Sequence, residues 1–403
     1  MLSPYRVLDC TDERGHLAGL LLAQLGAEVI LVEPPEGSAA RRRSPRAAAG
    51  VDPERGLWHW AYNRGKRSVV LDLASPSGRE GLLRLAAGAD VLLWSGRPGE
   101  LSVTYEELAA ANPALVVAAL TPWGLDGPKA DWPDADLVLC ASACHLSFTG
   151  NRDLAPLRWG SPQAYLHGAA DLAVAALLAL TERVRSGRGQ LADVSAQVSN
   201  LQVSFCYSLN QAWSSPLMGR SGEGLNMGNY RLRWTYPAAD GEVSITFAFG
   251  AAFAEFTGNL FRWIWEEGGC DEATRDKPWA DLALLLFSGE EPASEVDRLA
   301  DVVAAFTATR TKAELFAEAA RRRVLLAPIA TLHEVLANPH LAARRFWDHV
   351  PGPDGAGQHR MPGRFVVSSE APLAELGAAP ALGADTASVL AAPVRTPAGL
   401  ARA

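Results

Sequence analysis

The first 125 residues alternate apolar runs with stretches typical of helices. The apolar runs predict strands over residues 7–9, 29–32, 68–73, 91–94 and 115–120, and the stretches between them predict helices over 15–25, 77–87 and 104–111. Strands that are apolar on both faces, rather than at every second position, are typical of a parallel sheet covered by helices on both sides. The pattern therefore predicts an α/β fold with a Rossmann-like parallel sheet in a large domain.

The pattern changes after residue 135. It then predicts helices from 162 to about 185 and over 193–212, hairpin strands over 231–236 and 242–247, and helices near 251–266 and 311–323. Residues 221–229 are rich in glycine and asparagine, which predicts a flexible loop. We interpret 225–325 as a smaller α+β domain inserted between two parts of the large domain, residues 1–220 and 326–403.

Composition narrows the class of protein. The 403 residues are 48% hydrophobic and carry a formal net charge of -8, so nucleic acid is not an expected partner. Five scattered cysteines without a CxxC pair fit a reducing compartment, and the histidines show no metal-ligand spacing. No signal-peptide pattern precedes the first strand, and no apolar run reaches about 18 residues. We therefore expect a soluble cytoplasmic protein with no membrane contact and no metal.

Short motifs follow one another in a fixed order along the chain. They occupy residues 25–35, 63–73, 89–93, 96–99, 112–113, 124–128, 186–190, 193–195 and 326–329. This series resembles the family III CoA transferases, also called the CaiB/BaiF family, from residue 5 to about 390. The order of the whole set carries the resemblance, because each motif alone is too short to be specific.

The resemblance implies an activity and an assembly. Members transfer CoA between carboxylic acids, so an acyl-CoA and a small carboxylic acid are the expected substrates, and no permanently bound cofactor is expected. Members also form interlocked homodimers in which each ring-like chain threads the other. We therefore expect that fold here, as a homodimer or as a heterodimer with a paralogue.

The resemblance also implies a CoA-binding pocket at the carboxyl ends of the strands, where open α/β sheets bind ligands. It implies that Leu71, Ser95 and Gly96 line the adenine and ribose part of that pocket. Arg41 and Arg97 are the expected phosphate contacts, because a guanidinium pairs with phosphate through two parallel hydrogen bonds. A surface ion pair is the alternative interpretation of each arginine.

The catalytic position departs from the family pattern. In the related transferases an aspartate attacks the acyl-CoA thioester and forms a mixed anhydride, a step that needs a carboxylate. Matching Thr149-Gly150 and Gly168 places the equivalent of this aspartate at Ala164, to within a neighbouring residue. Residues 161–168 include no acidic side chain.

Three side chains near this position are candidate catalytic residues, although Gln163 cannot itself form an anhydride. Gln163 can hydrogen-bond a thioester carbonyl, with helix amides nearby to favour an oxyanion. His167 can act as a general base or be a structural histidine. Asp171 lies two helical turns beyond Ala164. It can be the nucleophile only if the register of this helix differs from that in our match to the family. The racemase branch of the family uses a histidine at a position that is Ala135 here, so racemisation by that route is not expected.

A glycine-rich segment resembles the loop that covers the acceptor site in the family. Gly222, Gly224 and Gly228 match its glycines, and Glu223 interrupts them, so a mobile lid and an ordinary linker are both open. The expected function is CoA transfer through another mechanism or another carboxylate. The alternatives are a silent CoA-binding subunit paired with an aspartate-bearing paralogue, and a member recruited to another acyl-CoA reaction.

Overall fold

The structure is a computed structural model, and it describes residues 1–43, 45, 54, 56–203, 219–222, 224–352 and 357–398. The chain divides into two compact units. The large unit comprises Met1–His145, Arg158–Leu217 and Pro339–Ala403, and the small unit comprises Leu146–Leu157 and Met218–Asn338.

The secondary structure alternates strands and helices over the first half of the chain. The described strands are β1 Arg6–Cys10, β2 Glu28–Glu33, β3 Arg67–Val70, β4 Val91–Ser95, β5 Val116–Thr121, β6 Leu191–Ser195, β7 Gly224–Met227, β8 Tyr230–Arg233, β9 Thr235–Ala238, β10 Gly241–Ile245, β11 Leu326–Pro328, β12 Trp347–Pro351 and β13 Gln358–Pro362. The described helices are α1 His16–Gln24, α2 Leu57–Tyr62, α3 Pro76–Ala87, α4 Tyr105–Ala111, α5 Asp136–Ser142, α6 His145–Phe148, α7 Ala164–Ser186, α8 Ala196–Val203, α9 Ala254–Glu266, α10 Glu272–Arg275, α11 Leu282–Ser288, α12 Ser294–Thr307, α13 Lys312–Arg322, α14 Leu332–Leu336, α15 Pro339–Ala343 and α16 Thr386–Ala391, with a 3₁₀ helix over Ala39–Arg41.

A six-stranded parallel sheet forms the centre of the large unit, in the order β3-β2-β1-β4-β5-β6. Consecutive residues of a strand point to opposite faces of the sheet, and they pack in two different hydrophobic cores. Val7 packs with residues of α1 and α7, and Leu8 packs with residues of α3 and α4. Because both faces are covered, the central strands are apolar throughout. The predicted α/β fold with a Rossmann-like sheet is confirmed.

The sequence pattern misses β6, because it predicts a helix from residue 193 onwards. β6 pairs with β5 at the edge of the sheet, where Leu191 and Asp193 are exposed and Val194 is buried. A half-exposed edge strand lacks the apolar run that marks the central strands. α8 follows directly, and residues 204–212 of the predicted helix lie outside the described part of the chain.

Helix α7 packs on one face of the sheet and carries the candidate catalytic position at its start. By length and composition it is apolar enough to cross a membrane, yet half of its most apolar stretch is buried within the chain. Ala169, Leu172 and Ala176 belong to the same core as the strands beneath them. This is the placement of a core helix. α7 ends at Gly187, whose φ of 70° is a left-handed conformation that glycine adopts without strain.

The small unit holds a three-stranded antiparallel sheet in the order β11-β10-β9. Its core is strongly aromatic and includes Phe247, Phe261 and Trp263. Since β11 pairs with β10, this unit continues past residue 325, where the sequence interpretation ended the small domain.

Residues 224–233 form a hairpin of β7 and β8, and β7 and its turn lie in the segment 221–229 that the sequence predicts as a flexible loop. Gly224 begins β7, and Gly228 lies in the turn with a φ of 72°. The amide of Gly222 donates to the carbonyl of Gly150 within the same unit. Glu223 lies outside the described residues, and a lid role for these glycines stays a prediction.

The predicted hairpin of 231–236 and 242–247 is also corrected. The strand breaks at Trp234, so that β8 pairs with β7 and β9 pairs with β10. An apolar run does not reveal such a break, because both halves of it are suitable for a strand.

Candidate functional site

A cleft of about 390 Å³ lies at the carboxyl ends of β1, β2, β3 and β4. We call it the strand-end cleft. The strand order reverses between β1 and β4 at this edge, which is where open α/β sheets bind ligands. Leu71 and Ser95, two of the predicted CoA contacts, both line this cleft, together with Thr11 and Asp12 of the segment after β1.

The lining of the strand-end cleft is acidic. It includes Asp12, Glu33, Glu36 and Asp72, and no described lining residue is basic. Like charges repel, so the cleft suits an uncharged heterocycle and a sugar better than a phosphate. Phosphates of a ligand bound here would have to lie beyond the cleft, near an arginine on its rim.

Arg41 does not lie on that rim, which corrects its predicted role. Its guanidinium is fully buried, and its five N–H groups donate to Glu33, to Glu54 and to the carbonyl of Pro380. Burial alone would raise the pKa of Glu33, but the hydrogen bonds and charge of Arg41 lower it to about 2. A guanidinium with no spare donor and no exposed surface cannot bind a phosphate, so Arg41 forms a buried ion pair instead.

Arg97 and Gly96 lie on the loop that follows β4, outside the lining of the cleft. The Arg97 side chain is 43% exposed, and its Nε donates to Glu100 Oε1 over 2.8 Å. An exposed ion pair contributes only about 0–1 kcal/mol, so Arg97 can exchange Glu100 for a phosphate at small cost. Gly96 has a φ of 151°, and a Cβ there would lie 2.8 Å from Glu100 Oε2.

A second space, the helix-end cavity, has a volume of about 270 Å³ and lies at the N-terminal end of α7. Its lining is Asp12, Glu13, Arg14, Arg43, Trp58, Asp134, Asp136, Pro162, Tyr165 and Leu166. Asp12 lines the strand-end cleft as well, so the two spaces adjoin at this residue.

Two residues of the first turn of α7, Tyr165 and Leu166, line the helix-end cavity, and Tyr165 is the one with a polar group. Ala164 is fully buried, and its carbonyl accepts a hydrogen bond of 3.0 Å from Asn200 Nδ2. The Tyr165 hydroxyl donates to Asp134 Oδ2. Burial and then the Asp134 carboxylate raise the pKa of Tyr165, so the phenol keeps its proton at neutral pH.

Asp136 accepts hydrogen bonds from the backbone amides at the start of α7. Its Oδ1 accepts hydrogen bonds from the backbone amides of Gln163, over 2.8 Å, and Ala164, over 2.9 Å. Its Oδ2 lies 3.1 Å from Arg158 Nε. The sequence led us to expect these amides to stabilise an oxyanion, but a side chain of the protein already uses them.

The three predicted catalytic candidates, Gln163, His167 and Asp171, do not line the helix-end cavity. The Gln163 side-chain amide donates to Ser161 Oγ over 2.8 Å. The His167 ring lies against His145, with 6.4 Å between ring centroids, and burial and then His145 lower the pKa of His167. Asp171 lies further along α7. The structure therefore does not bring these residues together at one reacting point.

Sequence reasoning missed the pair of Asp12 and Arg14. Arg14 Nη2 lies 2.7 Å from Asp12 Oδ2, and Ser95 Oγ donates to Asp12 Oδ1 over 2.9 Å. Burial alone would raise the pKa of Asp12, but Arg14 and Ser95 lower it. Arg14 Nη1 also lies 3.6 Å from Asp134 Oδ1. The sequence feature that could have identified these two residues is their position, because both lie in the segment that follows a parallel strand.

The described residues contain no group of three His, Cys, Asp or Glu side chains that is arranged to hold a metal ion.

The chain belongs to CoA-transferase family III, because the sequence profile of that family matches residues 2–386. It is 36% identical over 355 residues to the succinyl-CoA:(R)-benzylsuccinate CoA-transferase subunit BbsE of Thauera aromatica, covering 86% of this chain and 82% of that protein. It is 31% identical to the succinyl-CoA–D-citramalate CoA-transferase of Chloroflexus aurantiacus, covering 84% and 81%. A CaiB/BaiF family protein from Brucella suis has the same fold, with a TM-score of 0.81 and 26% identity over 96% of this chain and 97% of that one.

The family and the names of these relatives give the reaction class. It is the movement of CoA between an acyl-CoA donor and a carboxylic acid acceptor. The resemblance inferred from the ordered motifs is therefore confirmed.

Proposed function

We propose that this chain is one subunit of a heteromeric CoA-transferase, in which it binds CoA and a second chain supplies the carboxylate nucleophile. The observation that carries this proposal is the first turn of α7, where Tyr165 faces the helix-end cavity and Ala164 is buried. A protonated phenol that donates to Asp134 cannot form the mixed anhydride of the related transferases.

Most carboxylates in the helix-end cavity are engaged by protein donors. Asp12, Asp134 and Asp136 each accept hydrogen bonds from protein groups. Hydrogen bonds that stabilise the charge of a carboxylate also make it a weaker nucleophile. Glu13 lines the cavity with no such bond to the described residues, which favours a second candidate function: a self-sufficient transferase with Glu13 as the nucleophile.

The names of the relatives support the assembly and the substrate class. The protein of Thauera aromatica is named as a subunit, which fits a heteromeric enzyme. Both relatives are named for succinyl-CoA, with (R)-benzylsuccinate or D-citramalate as the second substrate. We therefore infer that succinyl-CoA is the donor and a substituted dicarboxylic acid is the acceptor.

A CoA-transfer assay tests the proposal. The purified chain is incubated with succinyl-CoA and (R)-benzylsuccinate, alone and together with a paralogue that has aspartate at the position of Ala164 or Tyr165. We expect transfer by the pair and none by this chain alone, with the paralogue alone as the reference.

Transfer by this chain alone would contradict the heteromeric assignment. If Glu13→Gln then abolishes that transfer, the second candidate function holds. Glu106→Gln is the matched control, because Glu106 is exposed on α4 and lines neither space.

A further inference from the structure

The connection between β1 and α1, residues 11–15, lies where the strand-end cleft meets the helix-end cavity. Thr11 lines the cleft, Asp12 lines both spaces and Arg14 lines the cavity. A ligand that spans both spaces has to pass this connection, so whatever fixes the connection also fixes the shape of the site.

A buried ammonium group holds both ends of this connection. Lys66 Nζ donates to Asp9 Oδ2 over 2.7 Å, to the carbonyl of His16 over 2.9 Å and to Asn63 Oδ1 over 2.7 Å. All three of its protons therefore have acceptors. Asp9 lies in β1 just before the connection and His16 begins α1 just after it. One side chain thus joins the strand end to the helix start.

Asp9 extends this network into the connection. Its Oδ1 accepts hydrogen bonds from the Thr11 amide over 3.1 Å and from the Thr11 hydroxyl over 2.6 Å. Gly19 of α1 makes room for the pair, because a Cβ there would lie 2.1 Å from Asp9 Oδ2 and 2.7 Å from Lys66 Nζ. Asp9 and Lys66 line neither space, so they act on the site only through the connection.

Asn63 completes the network and fixes a histidine tautomer. Its Oδ1 accepts from Lys66, so its Nδ2 is the donor to Nδ1 of His16 and of His59. His16 therefore carries its proton on Nε2, which donates to the carbonyl of Thr11 over 3.1 Å. Burial and then the charge of Lys66 lower the pKa of His16 to about 4, so this neutral form persists at neutral pH.

We propose that Lys66 and Asp9 are positioning residues for CoA binding. They hold residues 11–15 and thereby place Asp12 and Arg14 at the junction of the two spaces. This inference rests on the proposed binding of CoA by this chain. A connection that is released from Lys66 would still fold against the sheet, but it would no longer present Asp12 and Arg14 in one arrangement.

Substitutions with matched controls test the proposal. Lys66→Met keeps an unbranched side chain and removes the ammonium, Thr11→Val removes one hydroxyl with little change of shape, and Thr11→Ser keeps that hydroxyl. Lys277→Met is the control for loss of a multiply paired lysine, because Lys277 of the small unit lies 3.0 Å from Glu291 and 3.0 Å from Glu295.

Hydrogen–deuterium exchange of peptides over residues 10–16 tests the network without a ligand. We expect faster exchange in Lys66→Met and Thr11→Val, slower exchange in Thr11→Ser than in Thr11→Val, and the wild-type rate in Lys277→Met. Wild-type exchange in folded Lys66→Met or in Thr11→Val would overturn the proposal. If Lys66→Met does not fold, the two Thr11 variants decide.

Calorimetric titration with CoA, below the melting temperature of each variant, tests the consequence for binding. We expect the affinity to fall about tenfold or more in Lys66→Met, as for a lost charged hydrogen bond, and to be unchanged in Lys277→Met. A merely structural role would lower the melting temperature of both lysine variants and leave their affinities equal. Wild-type protein that binds no CoA would contradict the proposed function, and the exchange data would still decide the role of Lys66.

Discussion

The strand-end cleft and the helix-end cavity adjoin in the large unit, yet they are built in different ways. The cleft is formed by the ends of four parallel strands, so its place follows from the order of the sheet. The cavity is formed by side chains from separate segments, among them Trp58, Asp134 and Tyr165. A single substitution can change the chemistry of the cavity while it leaves the cleft intact. In the proposed function, the strand-end cleft binds CoA and the helix-end cavity lacks a nucleophile, and the comparison explains how one of these features can change without the other.

Restoring a carboxylate in the cavity is expected to have the largest effect. Tyr165→Asp places it on the cavity-facing side of α7, so we expect the chain alone to gain CoA transfer from succinyl-CoA. Ala164→Asp is the matched control, because the same carboxylate would be fully buried there and would cost stability without reaching a substrate. Activity is measured as the formation of acceptor-CoA. Transfer by Ala164→Asp and not by Tyr165→Asp would reverse this assignment.

Breaking the ion pair beneath the strand-end cleft is expected to have the next largest effect. Arg41→Met leaves Glu33 buried without its partner, so the free energy of unfolding should fall by about 3–5 kcal/mol. Arg321→Met, at a side chain that is 74% exposed, should change it by less than about 1 kcal/mol. Urea unfolding of both variants measures the difference. Equal, small effects would mean that Arg41 is not part of the support of the cleft.

The buried histidines near the cleft predict that the free energy of unfolding falls as the pH is lowered. Burial is the main cause that lowers the pKa of His16 from 6.5 to about 4 and that of His59 from 6.5 to about 3. The folded pKa lies below the unfolded one, so the stabilisation is complete above about pH 6.5 and is lost as the pH falls toward 4. Each pH unit in this window costs about 1.4 kcal/mol per histidine.

Urea unfolding at several pH values checks this expectation. The free energy of unfolding should fall with pH below about 6.5 in the wild type, and less steeply in His16→Gln. His349→Gln is the control, because this histidine is exposed. A stability that does not change across the window would show that these histidines already carry a proton in the folded protein.

Removing Arg97, on the loop that follows β4, is expected to have the smallest effect. If Arg97 exchanges Glu100 for a CoA phosphate, Arg97→Ala should weaken CoA binding by about 1–3 kcal/mol. Arg188→Ala, at an exposed position after α7, should leave the affinity unchanged. Calorimetric titration compares the two variants. Equal affinities would exclude Arg97 from the CoA site.

The fold could be predicted from the sequence to the extent that burial leaves a pattern. β2, β4 and β5 are covered on both faces and read as apolar runs, whereas the edge strand β6 is half exposed and reads as part of a helix. The strand-end cleft follows the same logic, because Leu71 directly follows β3 and Ser95 is the last residue of β4.

The rest of the site depends on details that a sequence does not display. Arg41 is buried and Arg42 beside it is not, although they are neighbours in one basic run. On α7, a shift of one residue rotates a side chain by about 100°, which separates the buried Ala164 from the cavity-facing Tyr165. The hydrogen bond from the Tyr165 hydroxyl to Asp134 joins residues that are 31 positions apart. No local sequence motif predicts a contact over that separation.

Intact-protein mass spectrometry of the wild-type chain incubated with succinyl-CoA tests the central claim most directly, with CoA binding measured on the same sample. We expect the chain to bind CoA and to show no covalent increase in mass. A covalent adduct that maps to Glu13, or to any other residue of this chain, would contradict the claim, because the chain would then carry its own nucleophile.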